Sequence, residues 1–159
     1  MGEADQVIDS LLADPVGLDE IYTLFLDADP VVAMRASYVA MRIAEQDPDS
    51  VKPFGKVLLK NLDFYTQQEV RWHVPRLLVH LDLSKDQKRR AYDVVMHWAE
   101  TDKSKIVGYY GLQAAADFVE TDSTLLEDFI PRIRKANQGG AKSIQNRCKK
   151  IAKQLSITL

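Results

Sequence analysis

One apolar stripe recurs along this chain at intervals of about three dozen residues. Taking Val70 as anchor, Met34 lies 36 residues earlier, Val107 lies 37 later, and Ile144 follows 37 beyond that. At offsets 0, +4, +7, +8 and +11 the second stretch reads Val70, Val74, Leu77, Leu78 and Leu81. The third reads Val107, Gly111, Ala114, Ala115 and Phe118, and the fourth Ile144, Cys148, Ile151, Ala152 and Leu155. Those offsets trace one face of an α-helix. The first stretch fits in part: Met34, Tyr38 and Met41 obey, while Arg42 and Glu45 fall where apolar residues belong. A fixed interval of this length implies a repeated supersecondary unit, in which each copy buries its stripe against the next.

A second set of helices lies between these. The apolar residues at helical spacing are Ile21, Leu24 and Phe25; then Phe54, Val57, Leu58 and Leu62; then Ala91, Val94, Val95 and Trp98; then Leu126, Phe129, Ile130 and Ile133. Breakers separate the helices at Asp29-Pro30, Asp47-Pro48, Asp63 to Thr66, Asp82 to Ser84, Thr101-Asp102 and Gly139-Gly140. Asp and Ser at such points accept hydrogen bonds from the unpaired amides of a first helical turn. No segment alternates with period two, so strands are not expected. The expected fold is all-α, an α-α superhelix: a short solenoid of about four antiparallel helix pairs behind an N-terminal capping helix over about 3–14. Its units fall at about 17–46, 49–81, 84–121 and 122–156 of a single domain over 1–159.

The turns carry a further pattern. Asp29 and Arg35 are six residues apart, Val70-Arg71 opens the second stretch, and Asp102 stands six before Gly108. With an apolar helix, an aspartate-bearing turn and a "VR" opening the next helix, residues 17–156 resemble the HEAT-repeat family. The resemblance implies that Asp29, Arg35, Arg71 and Asp102 belong to a ladder between neighbouring units, with Arg71 reaching an adjacent turn such as Asp102. The pattern is incomplete: Tyr65 stands in the acid's place before Arg71, and Gly139 and Gln145 replace both partners.

Side chains off the stripe are the candidates for function. Offset +2 gives Ala36, Trp72, Tyr109 and Asn146, and offset +6, one turn on, gives Ala40, Arg76, Gln113 and Lys150. In HEAT-like stacks the second helix of each pair lines the concave surface. A partner-binding strip of Trp72, Arg76, Tyr109, Gln113, Asn146 and Lys150 would follow, and Trp, Tyr and Arg commonly anchor protein interfaces. The leading expectation is therefore a non-enzymatic, cytoplasmic module that binds a protein or peptide. The competing structural reading has Trp72 and Tyr109 packing against adjacent helices.

Charge supplies the second function class. The net charge of −2 conceals 11 acids against 2 bases in residues 1–49, and 8 bases with no acid in residues 129–159. The basic C-terminal end suits a nucleic-acid-binding HEAT-like protein, such as a relative of the alkylation-repair glycosylases, which use an aspartate near aromatic residues. Asp117 after Tyr109 and Tyr110 echoes that arrangement, although an acid at offset +10 is ordinarily a solvated one. The oppositely charged ends also allow weak, salt-sensitive self-association of an otherwise monomeric chain. No apolar run approaches the ~20 residues of a membrane span.

No motif points to catalysis, a metal or a cofactor. The iron hydroxylases built on HEAT repeats use His-Glu pairs, and the chain has none. His73 and His80 stand seven apart on one helix, roughly 10 Å, too far to share one metal ion. Cys148 sits on the apolar stripe, where a thiol is buried and inert.

Overall fold

In the computed structural model, which describes residues 3–159, the chain folds into α-helices joined by short turns, with no strand among the described residues. The helices are α1 (Glu3–Ala13), α2 (Leu18–Thr23), α3 (Pro30–Gln46), α4 (Gly55–Asn61), α5 (Gln68–Leu78), α6 (Lys85–Thr101), α7 (Lys105–Thr121), α8 (Leu126–Gly139) and α9 (Lys142–Leu155). They form two units, one ending at Asp82 and one running from Leu83 to Leu159. None of the helices is long and apolar enough to cross a membrane, among the described residues.

In the first unit α3 packs along α5, α1 and α2 lie against α3, and α4 contacts α2 and α5. The breakers act as caps. Asp29 Oδ1 accepts from the Val31 amide at 2.8 Å, with Pro30 in the first helical position, where its missing N–H costs nothing. Proline and glycine keep the outer elements short. Pro48–Phe54 is 3₁₀ rather than α, with Pro53 inside it, and α4 follows with only seven residues. The core here is aromatic: Tyr22 stacks on Phe54 at 4.1 Å between ring centroids, and Phe25 tilts against Tyr22 at 5.2 Å.

The second unit is built from longer pieces. α6 packs on α7, α8 on α9, and α7 on α9. Ser84 and Gln87 form a reciprocal cap on α6, each side chain bonding the other's backbone amide, at 3.3 and 3.0 Å. Gly111 lets α7 approach α6 closely, since a Cβ there would sit 2.8 Å from the Val95 carbonyl. Tyr92, Asp128, Arg132 and Glu100 clamp α6 to α8. Tyr92 Oη donates to Asp128 at 2.7 Å, and Arg132 donates to Glu100 through Nε (2.7 Å) and Nη2 (2.8 Å).

The stripe is the core. Val70, Val74, Leu77 and Leu78 are fully buried, as are Val107, Ala115, Cys148 and Ile151. In α3 the register differs from the sequence expectation. Ala33, Ser37, Ala40, Met41 and Ala44 are all buried, as are Ala36, Val39 and Ile43 beside them, while Met34 is half-buried. Anchoring that helix on Ala33 makes the interval 37 residues at every step and removes the misfits at Arg42 and Glu45. Small alanines hid the stripe because a hydrophobicity pattern favours the larger Met34. The stripe also stops early in α5. Pro75 lacks the N–H that would bond the Arg71 carbonyl, and the helix ends at Leu78. Leu81, expected as its last position, lies beyond the helix and packs over Gly55. α2 rotates away from the expected face: Leu18, Tyr22 and Phe25 are buried, whereas Ile21 and Leu24 are half-exposed.

Candidate functional site on the second-helix faces

The off-stripe residues are divided between the two units, Trp72 and Arg76 in the first and Tyr109, Gln113, Asn146 and Lys150 in the second.

In the first unit, Trp72 is half-buried with its indole 3.8 Å from the neighbouring His73 ring, centroid to centroid. Arg76 pairs with Glu45 of α3 and lies against the Met41 sulfur. Between α3 and α5 lies a buried polar contact that the apolar pattern does not reveal. His73 is 1% exposed and Ser37 is 0% exposed, and Nδ1 of the ring lies 2.8 Å from the serine Oγ. Ser37 also contacts the Met34 carbonyl at 3.1 Å. A carbonyl can only accept, so the hydroxyl proton serves Met34 and the histidine donates from Nδ1. That leaves Nε2 as a buried lone pair without a hydrogen-bond partner. Burial, reinforced by the nearby Arg76 charge, holds the ring neutral by lowering its pKa to about 3.

In the second unit, α7 and α9 meet through a polar net. Arg147 lies over the Tyr109 ring at 3.8 Å and donates from Nη1 to Gln113 Oε1 at 2.7 Å. Gln113 Nε2 donates to Asp117 (2.8 Å) and to Gln154 (3.0 Å), and Gln154 donates onward to Asp117 and Glu120, both at 3.0 Å. Asp117, expected to be merely solvated, is half-buried and held by two amides. Asn146 and Lys150 stand exposed beside this net. Arg147 was not anticipated. It sits at offset +3, one position outside the rows read from the sequence, and no carboxylate pairs with it among the described residues. Burial depresses its pKa, and its Nε is enclosed without an acceptor.

The residues assigned to a ladder take other roles as well. Asp29 caps α3, and Arg35 is exposed, with no ion pair to Asp29 among the described residues. In the corrected register Arg35 shares the row of Trp72 and Tyr109, and Met34 takes the row of Arg71. Arg71 donates from Nε to the Tyr65 carbonyl at 2.8 Å, so a backbone oxygen serves where the acid is missing. Gln145, in the same row, donates to the Gly140 carbonyl at 3.0 Å. Asp102 accepts from the Ser104 amide at 2.9 Å. Cys148 is buried, and burial raises its pKa. No group of three or more His, Cys, Asp or Glu side chains is placed to hold a metal among the described residues.

Comparison with protein-family models, with curated proteins and with solved structures finds no match for the chain.

Proposed function

We propose that this chain is a non-enzymatic, HEAT-like solenoid module whose second helices present a surface to a protein or peptide. What supports the repeat reading is the packing of α3 on α5 and of α7 on α9, helices related by a 37-residue interval. The observation that carries the binding reading is Arg147. It is a half-buried guanidinium braced by a tyrosine face and a glutamine, without a carboxylate. An arginine preorganised in this way loses little entropy when it meets an acidic group. Tyr109 adds an amphipathic aromatic surface next to it, and Lys150 supplies further positive charge. Trp72 and Arg76 are the corresponding candidates in the first unit.

A second reading rests on the five lysines of the C-terminal segment, Lys135, Lys142, Lys149, Lys150 and Lys153, all exposed. Phosphate contacts with nucleic acid need such cations. Two arginines of the same segment are committed elsewhere: Arg132 to Glu100 and Asp128, and Arg134 to the Thr158 carbonyl. That favours the protein-binding reading.

Affinity capture with the wild type, Trp72→Ala and Tyr109→Ala separates the two. Partners retained by the wild type and lost with either variant, at unchanged helicity, support the module. Identical capture by all three removes these faces from consideration. Retention on heparin and a salt-steep shift of labelled RNA or DNA, unaltered by Tyr109→Ala, would favour nucleic acid instead.

A further inference from the structure

The second unit holds a hollow of about 420 Å³ where the α6–α7 turn meets the α8–α9 turn. Its floor is apolar: Met96 of α6, Leu112 of α7 and Ile144 of α9 line it, and all three are buried. Gly140 lets the α8–α9 turn close on that floor, since a Cβ there would sit 2.8 Å from Ile144 Cγ2. A sealed cavity of about 150 Å³ holds a benzene ring. The volume here takes a body of up to about two rings together with a polar head.

The charged lining has one dominant sign. Lys103, Lys105, Arg132 and Lys135 line the hollow against two acids, Glu100 and Asp102. Both acids already serve the protein: Glu100 accepts from Nε and Nη2 of Arg132, and Asp102 accepts the Ser104 amide. Arg132 is engaged in turn by Glu100 and Asp128. The three lysines are exposed and make no ion pair among the described residues. The helix ends do not set the sign, because α7 and α9 begin at this hollow while α6 and α8 end there. Their dipoles roughly offset one another. The lysines decide it.

We propose that this hollow is a binding site for a small amphiphilic anion, a carboxylate or phosphate carried on an apolar body of one or two rings. The body lies on Met96, Leu112 and Ile144, and the head meets Lys103, Lys105 and Lys135 at the rim. An apolar lining with a few charged groups that fix orientation is the usual make-up of a small-molecule site. A cationic ligand would find no carboxylate in the lining that is not already engaged. The hollow shares no residue with the Tyr109–Arg147 face and does not depend on that reading.

The test is a titration of the full chain, followed by amide chemical shifts, with probes that share one ring system and differ in the head. They are naphthoate, naphthyl phosphate, naphthylmethanol and naphthylmethylammonium. Both anions should bind with a Kd of about 0.1–1 mM, the alcohol at least about tenfold more weakly, and the ammonium not detectably. Whichever anion binds more tightly identifies the head group. Lys103→Glu and Lys135→Glu should each weaken anion binding about fivefold. Lys150→Glu makes the same charge change outside the lining and should leave binding within about twofold. Ala136→Leu adds bulk to the lining with a good helix former, and should weaken binding at least about fivefold. Tyr109→Ala should leave it unchanged, which separates this site from the other. Circular dichroism shows whether each variant folds as the wild type does. No binding of either anion up to about 5 mM overturns the proposal. So does equal binding of the ammonium probe, or equal weakening by Lys150→Glu and Lys135→Glu.

Discussion

His73 in the first unit and Arg147 in the second stand at the same offset of their respective helices and have opposite fates. Both side chains reach back to an earlier helix of their own unit, His73 to Ser37 of α3 and Arg147 to Gln113 of α7. Both keep one nitrogen enclosed without a partner. The histidine is sealed and neutral, whereas the arginine stays half-exposed with its charge resting on Tyr109. The same offset therefore meets different surroundings in the two helices, and those neighbours decide whether the side chain can carry charge. Around His73 the neighbours are the Ser37 hydroxyl, aromatic rings and the Arg76 charge, so ionisation would strand a second cation in the interior. Around Arg147 an aromatic face and an amide oxygen serve in place of water. A position can be structural in one copy and a candidate contact in the next.

Exchanging the two residues is the strongest way to break that contrast. His73→Arg places a guanidinium where Ser37 is the hydrogen-bonding side chain, and should destabilise the fold by at least about 3 kcal/mol in urea titrations. Arg147→His leaves a smaller polar ring beside Gln113 and should cost no more than about 1 kcal/mol. Comparable costs for the two would mean that the environments do not differ as described.

Acid titration sharpens the histidine half. The folded state holds His73 neutral down to about pH 3, while the unfolded chain protonates it near 6.5. Below that value the unfolded state binds the extra proton, so stability falls as pH falls. The loss is about 1.4 kcal/mol per pH unit, about 3 kcal/mol by pH 4, and levels off once the folded ring also protonates. His73→Gln should lack this component. Curves of stability against pH that run parallel for the two proteins would contradict the assignment.

Smaller effects follow from single contacts. Ser37→Ala leaves the buried Nδ1–H of His73 without an acceptor and should cost about 1–2 kcal/mol, read by thermal or urea unfolding. Tyr109→Leu removes the ring under Arg147 and should cost about 0.5–1 kcal/mol. Arg76→Gln breaks a partly exposed pair with Glu45, worth under about 1 kcal/mol and less at high salt.

The all-helical class was legible because the stripe repeats with a helical period and the breakers carry capping residues. Its register in α3 was not. Alanine and serine fill that stripe where the packing of α3 on α5 is close, and a hydrophobicity pattern passes over small residues. The face of α2 was misjudged for a related reason: in a six-residue helix two apolar faces are equally plausible, and burial of Tyr22 against Phe54 decides between them. Tyr109 and Gln113 were found by their offset, but Arg147 was not. Its offset is that of the buried His73, and only the side-chain geometry of α7 and α9 shows that it turns toward Tyr109.

The central claim is that α3 and α5, whose apolar stripes are 37 residues apart, lie side by side within the first unit, and a double-mutant cycle on Ser37 and His73 tests it most directly. Combining Ser37→Ala with His73→Phe should reveal a coupling of about 1 kcal/mol or more in unfolding free energy, because each residue matters chiefly through the other. Strict additivity, within about 0.3 kcal/mol, would show that α3 and α5 do not meet at these positions and would contradict the account.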